Sequence, residues 1–115
     1  DVRVSAILAR LAGRSHLVCA RVQGAERFYA AGFDGDDAVI LRHDHGSQVL
    51  ARAPLQRSDA TASLTLEVVG QHLSLLVDGV RVLEVQDAAF RYGQAGLRLG
   101  GPGRMTVSRF AVEEL

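Results

Sequence analysis

A chain of 115 residues with 13 basic and 13 acidic side chains is the size of one domain with a core of its own; it has neither the basic stripe of a nucleic-acid binder nor an acidic tail. Its single cysteine, Cys19, excludes an internal disulfide and every multi-cysteine zinc pattern, and no apolar run nears the roughly 18 to 20 residues of a membrane span. All the basic residues are arginine and asparagine is absent, which fits a GC-rich coding sequence and removes any N-glycosylation sequon.

Short segments alternating with period two, separated by Gly, Asp, Ser or Pro, predict about ten strands and almost no helix. In "DVRVSAIL", Val2, Val4, Ala6 and Leu8 alternate with Arg3, Ser5 and Ile7. "LVCARVQG" and "ERFYAAGFD" follow, joined around Gly24 and Ala25, with Cys19 read as a small buried apolar residue. "DAVILRHD" and "SQVLARAPL" flank "HDHG", a hairpin turn in which Gly46 is expected to take the positive φ, and Pro54 ends the second strand. "QRSDATA" is read as a connection between layers, with Ser58 and Asp59 also suited to cap a short helical turn. "SLTLEVVG", "HLSLLVDG", "VRVLEVQD", "QAGLRLG" and "RMTVSRFAVEEL" complete the set. The chain starts at Asp1 inside a strand-like pattern without a methionine, so it is expected to be one β-sandwich domain, 1–115, from a longer polypeptide with any targeting signal upstream.

The segment "LSLLVDGVRVLEV" sets a register problem. A bare two-residue turn at Asp78-Gly79 leaves both faces apolar, whereas a three-residue loop with Gly79 left-handed in a bulge shifts the register by one. Leu73, Leu75, Leu83 and Val85 then share a buried face, and His72, Ser74, Val82 and Glu84 an open one. The second arrangement is the expected one.

Chemistry-bearing clusters are sparse. "RHDHG" sets His43 and His45 two apart, and "DGDD" could add Asp34, Asp36 or Asp37 to a metal site; ordinary polar turns are the stronger reading of both. Glu67 and Glu84 read as solvent-facing strand residues instead of an acid pair for glycoside hydrolysis. No nucleophile and base are brought together by order or context. "GGPG" at 100–103 is a hairpin loop, without phosphate-loop spacing. No catalytic residue, metal or cofactor is expected.

Residues 64–115, "LTLEVVGQHLSLLVDGVRVLEVQDAAFRYGQAGLRLGGPGRMTVSRFAVEEL", resemble the C-terminal half of concanavalin A-like jelly-roll domains, in particular the laminin G-like and 3-keto-disaccharide hydrolase-like modules of bacterial multidomain proteins. The resemblance implies an all-β, antiparallel two-sheet β-sandwich of jelly-roll type, with the closing strand "TVSRFAV" beside the first strand "VRVSAIL". Ser108 and Arg109 stand where many members carry a calcium-binding aspartate, and the only tyrosines to stack on a sugar are Tyr29 and Tyr92, tryptophan being absent.

By that resemblance the chain is expected to be a non-catalytic accessory module, carbohydrate-binding and lectin-like, in a larger bacterial protein, extracytoplasmic or secreted. Its expected ligand surface is the polar face holding His72, Ser74 and Glu84, with Tyr29, Arg42 and His43 contributed by the middle strands. The expected partner is a carbohydrate or a neighbouring protein domain, with no nucleic acid. An assembly domain, to which Leu76 and Val80 on the polar face point, is the alternative; an enzyme of the same superfold ranks last.

Overall fold

The computed structural model describes residues 1–55 and 60–115, with the side chain of Leu11 left aside. Ten strands follow in order: β1 (Val2–Gly13), β2 (Ser15–Val22), β3 (Arg27–Asp34), β4 (Asp37–Asp44), β5 (Ser47–Pro54), β6 (Thr61–Val69), β7 (His72–Val77), β8 (Val80–Gln86), β9 (Gln94–Leu99) and β10 (Gly103–Glu114). No helix occurs among the described residues. Residues 56–59, which carry most of the expected interlayer connection and its capping pair, lie outside the described set.

The strands form two five-stranded sheets, β10-β1-β6-β7-β8 and β5-β4-β3-β2-β9. Each consecutive hairpin pairs antiparallel within its own sheet, and the chain crosses between layers after β1, β5, β8 and β9. The closing strand lies against the first as expected, with Val4 opposite Val112 and Ala6 opposite Phe110. β1 is thereby held on both sides, since its other edge pairs with β6.

Alternation places one face of the first sheet inward. Val4, Ala6 and Leu8 of β1, Leu64, Leu66 and Val68 of β6, and Leu73, Leu75 and Val77 of β7 meet Val18, Ala20, Tyr29, Ala31, Phe33, Ala38 and Ile40 from the second sheet. Phe90, in the β8–β9 connection, plugs the same core. Burial of each large side chain here contributes about 1.5 to 3 kcal/mol, so this layer is the main source of stability.

The hairpin at Asp78-Gly79 departs from expectation in its mechanism and agrees in its outcome. Val77 pairs with Val80, and Asp78 and Gly79 both take positive φ, 51° and 82°. This is a tight two-residue turn of the primed type, whose twist matches that of the strands. The register shift comes one step later, at Val82, the extra residue between the Leu76–Arg81 and Leu75–Leu83 pairs. Leu73, Leu75, Leu83 and Val85 therefore share the core face as expected. Val82, expected on the open face, packs against the core instead, because a bulged residue turns toward the side of its successor. In the β4–β5 turn Gly46 takes positive φ as expected, 158°, and His45 before it is also left-handed, at φ 57°.

Candidate functional site

The six residues expected to form a ligand surface are divided by the fold among three places. Tyr29 is fully buried between the sheets. Its hydroxyl donates to Asp87 Oδ1 at 2.6 Å and accepts from the Phe90 amide at 3.2 Å, and its ring meets Phe90 edge-on at 5.0 Å. Burial, with the Asp87 bond adding to it, pushes the phenol above its usual pKa. Arg42 pairs with the same Asp87 and donates to Gln48 Oε1 at 2.7 Å. The two residues thus anchor β3 and β4 to the β8–β9 connection. His72, Ser74 and Glu84 lie on the outer face of the first sheet, with His72 Nε2 3.5 Å from Glu84 and Arg81 closing on Glu84 at 3.1 Å. Ser74 is itself buried. His43 alone stands on the outer face of the second sheet. The expected single surface is therefore corrected: neighbours along a strand face opposite ways, and His72, Ser74 and Glu84 belong to a different sheet from the rest.

The ring that parity turns outward is Phe28, next to Tyr29. Phe28, Leu17, Cys19, Ala30 and Val39 form a second apolar cluster on the outer face of the second sheet, flanked by Val22 and Leu41. They are almost inaccessible although among the described residues no third layer lies over them; at Phe28 long polar side chains supply the shield. His43 stacks on Phe28 with ring centroids 4.9 Å apart and planes 13° apart, and the Arg98 guanidinium sits 4.9 Å from the same ring.

His43 Nε2–H donates to Glu26 Oε2 at 2.9 Å, and Nδ1 is hydrogen-bonded to the Ser47 hydroxyl at 2.8 Å. The His43 bond, with smaller help from Arg98, holds the Glu26 carboxyl below its usual range. Beside this group lies a hollow of about 220 Å³ lined by Cys19, Val22, Phe28, Gly96 and Arg98 among others. At the far end of the strands Asp34 accepts from Arg52 at 2.6 Å, Arg14 at 2.9 Å and Ser15 at 2.9 Å, while Arg52 also reaches Asp37 at 3.0 Å.

Chemically the face offers an apolar floor with a carboxylate, an imidazole and a guanidinium at its margin, a combination suited to reversible contact with a molecule that has both C–H faces and hydroxyls. Burial pushes the Cys19 thiol up to about 12, so it has no thiolate to act as a nucleophile. His43 and Asp34 already have their own partners, and among the described residues no three His, Cys, Asp or Glu are gathered as a metal site. Glu26, Phe28 and Arg98 were not singled out from the sequence as site residues. The available signal was the unbroken apolar run in β2 and β3, which marks strands covered on both faces.

No protein-family model and no curated sequence matches the chain. Among solved structures, the carbohydrate binding module CBM66 from Bacillus subtilis superposes with a TM-score of 0.88 at 20% identity, covering 99% of this chain and 75% of that one. The chain is a jelly-roll β-sandwich. Galectin LEC-6 from Caenorhabditis elegans matches with a TM-score of 0.70 at 17% identity, over 98% of this chain and 82% of that one. Sheep galectin-11, in a complex with glycerol, follows at 0.60 and 11%, over 97% and 90%. At these identities the likeness establishes the fold alone.

Proposed function

We propose that this domain is a non-catalytic, lectin-like carbohydrate-binding module that takes its sugar on the outer face of the second sheet. The observation that carries the reading is the Glu26–His43 pair stacked beside Phe28 and Arg98 over an apolar floor, in a fold shared with a carbohydrate binding module. With His43 and Arg98 drawn aside from the ring they shield, a sugar ring lays its C–H face on the floor while its hydroxyls exchange hydrogen bonds with Glu26, His43 and Arg98. With one ring at the site, affinity is weak, roughly millimolar to tens of micromolar. The resemblance of residues 64–115 to laminin G-like and 3-keto-disaccharide hydrolase-like modules supports an accessory role in a larger bacterial protein.

Glycan-array screening followed by calorimetry tests this. A Glu26→Gln, His43→Ala double variant is expected to lose the sugar, while a His72→Ala, Glu84→Ala variant on the first sheet keeps it. The reverse pattern would transfer the site to the surface first expected from the sequence.

A second reading, an assembly domain, is favoured by the margin where the edge strands β9 and β10 lie on the same side of the sandwich. Leu97, Phe110 and Val112 are 40, 41 and 50% exposed there. If that reading holds, no glycan binds and light scattering detects association that Phe110→Asp abolishes.

A further inference from the structure

A hollow of about 450 Å³, larger than the one on the second sheet, opens at the end of the sandwich where β2, the start of β9 and the last residues of β10 converge. Asp1, Arg21, Arg91, Tyr92 and Glu114 are among the residues that line it. An adjoining hollow of about 300 Å³ shares Asp1, Arg21 and Arg91 with it.

The segment from Phe90 to Gly93 that forms one wall is clamped from beneath. Arg21 is buried and left-handed at φ 50°, and its Nη1 donates to Phe90 O at 2.8 Å and Gly70 O at 2.7 Å. Gln23 Nε2 donates to Tyr92 O at 2.9 Å. Gly93 approaches β2 so closely that a Cβ there would fall 2.3 Å from the Arg21 carbonyl carbon. Ordering this segment costs conformational entropy, yet beyond Phe90, which fills the core, its other two large side chains, Arg91 and Tyr92, have no packing role among the described residues. Tyr92 is 75% exposed, and Arg91 has no hydrogen bond or ion pair among the described residues. An aromatic ring and a guanidinium held out on a rigid backbone are preorganised for contact with something else.

The lining charges indicate what that is. The side-chain charges of Arg21 and Arg91 balance those of Asp1 and Glu114, so the lining side chains sum to zero and set up no anion site. Guanidinium groups only donate hydrogen bonds and carboxylates only accept them. A vicinal diol meets both demands, and the apolar face of a sugar ring suits an exposed tyrosine. We infer that this cleft is a second ligand site that binds a neutral hexose ring, with Tyr92 as the stacking face, Arg91 as donor and Glu114 as acceptor. The inference stands whether or not the outer face of the second sheet binds sugar.

The test is a titration of the ¹⁵N-labelled domain with the methyl pyranosides of glucose, galactose and mannose, followed by amide shifts. At least one sugar is expected to move the amides of Arg91, Tyr92, Gly93 and Glu114. Tyr92→Ala should remove those shifts and Tyr92→Phe should keep them; Arg91→Gln should weaken binding about tenfold, the loss expected for one charge-assisted hydrogen bond. Arg104→Gln, an exposed arginine outside both sites, serves as the unaffected control. Because Arg91 and Tyr92 are exposed, the melting temperature should hold in every variant. Absence of shifts at these amides with all three sugars, or shifts that survive Tyr92→Ala, overturns the proposal. Shifts confined to Glu26, Phe28 and His43 uphold the sheet-face reading and overturn this one, and shifts confined to the cleft do the opposite.

Discussion

The outer faces of the two sheets are built on different principles. On the first sheet most outward positions carry small hydroxyls and mutually paired charges, with Ile7 and Leu76 as isolated apolar residues among them: Ser5 and Thr65 side by side, Arg3 between Glu67 and Glu113, and Glu84 between His72 and Arg81. The second sheet turns Leu17, Cys19, Phe28, Ala30 and Val39 outward and shields them with His43 and Arg98. A polar face open to water is satisfied as it stands. An apolar face held under two long polar side chains is a surface a ligand can complete by displacing or joining them, and this difference is the reason the proposed sugar site is set on the second sheet.

The sharpest way to break the comparison is to delete one outward residue from each face. Phe28→Ala removes a nearly inaccessible ring with its His43 and Arg98 contacts, and is expected to cost about 3 kcal/mol. Thr65→Ala, which loses only a long contact to Ser5 at 3.5 Å, should cost less than about 1 kcal/mol. Urea unfolding of both variants measures the ratio. The Cys19 thiol supplies a second readout, since labelling of native protein should accelerate in Phe28→Ala and stay at the parent's rate in Thr65→Ala. Equal costs would mean that the outer cluster adds nothing to the fold.

An intermediate effect is expected at the β7–β8 turn, where the first sheet relies on backbone geometry. Gly79→Val has open space around the new Cβ, so its penalty is the left-handed backbone alone, about 1 to 2 kcal/mol. A midpoint equal to the parent's would show that the turn rearranges freely, and would remove the reason for the bulge at Val82 to be where it is.

The two faces were also unequally legible in the sequence. In β6 and β7, Leu64, Leu66 and Val68 and then Leu73 and Leu75 alternate with polar residues or pair through a clear turn, so facing and register followed from period two alone. In β2 to β4, "HLVCA", "FYAAGF" and "AVIL" are apolar on both sides, and parity has nothing to hold on to. Tyr29 was an expected ligand-facing ring because, without tryptophan, only the two tyrosines could stack on a sugar; its hydroxyl instead meets Asp87, 58 residues on, where Arg42 also arrives from 45 residues away. Such a pairing is a product of the sandwich's closure and leaves no mark in local spacing. Tyr92, the most exposed aromatic ring among the described residues, was visible only as one of two tyrosines, because its exposure depends on how Arg21 and Gln23 clamp the backbone beneath it.

The smallest expected effect concerns the charges at the far end of the second sheet's outer face. Asp34 lies below its ordinary carboxyl range chiefly through the hydrogen bond from Arg52, with Ser15 and Arg14 assisting and partial burial opposing. A carboxyl whose folded pKa is depressed adds stability that is complete above its unfolded value, near 3.9, and is lost as pH falls through the lower folded value. Its contribution therefore disappears only in the acid limb, and stability near neutral pH should not vary on its account. In Arg52→Gln the main cause is gone, so the Asp34 midpoint should rise toward the ordinary value and the acid limb of unfolding should start at higher pH. A ¹³C carboxyl titration of parent and variant reads the shift directly. An unmoved midpoint would assign the depression to Arg14 and Ser15, and would leave Arg52, paired with Asp34 and Asp37 in the parent, as a side chain that a ligand extending along the face could recruit without cost to Asp34.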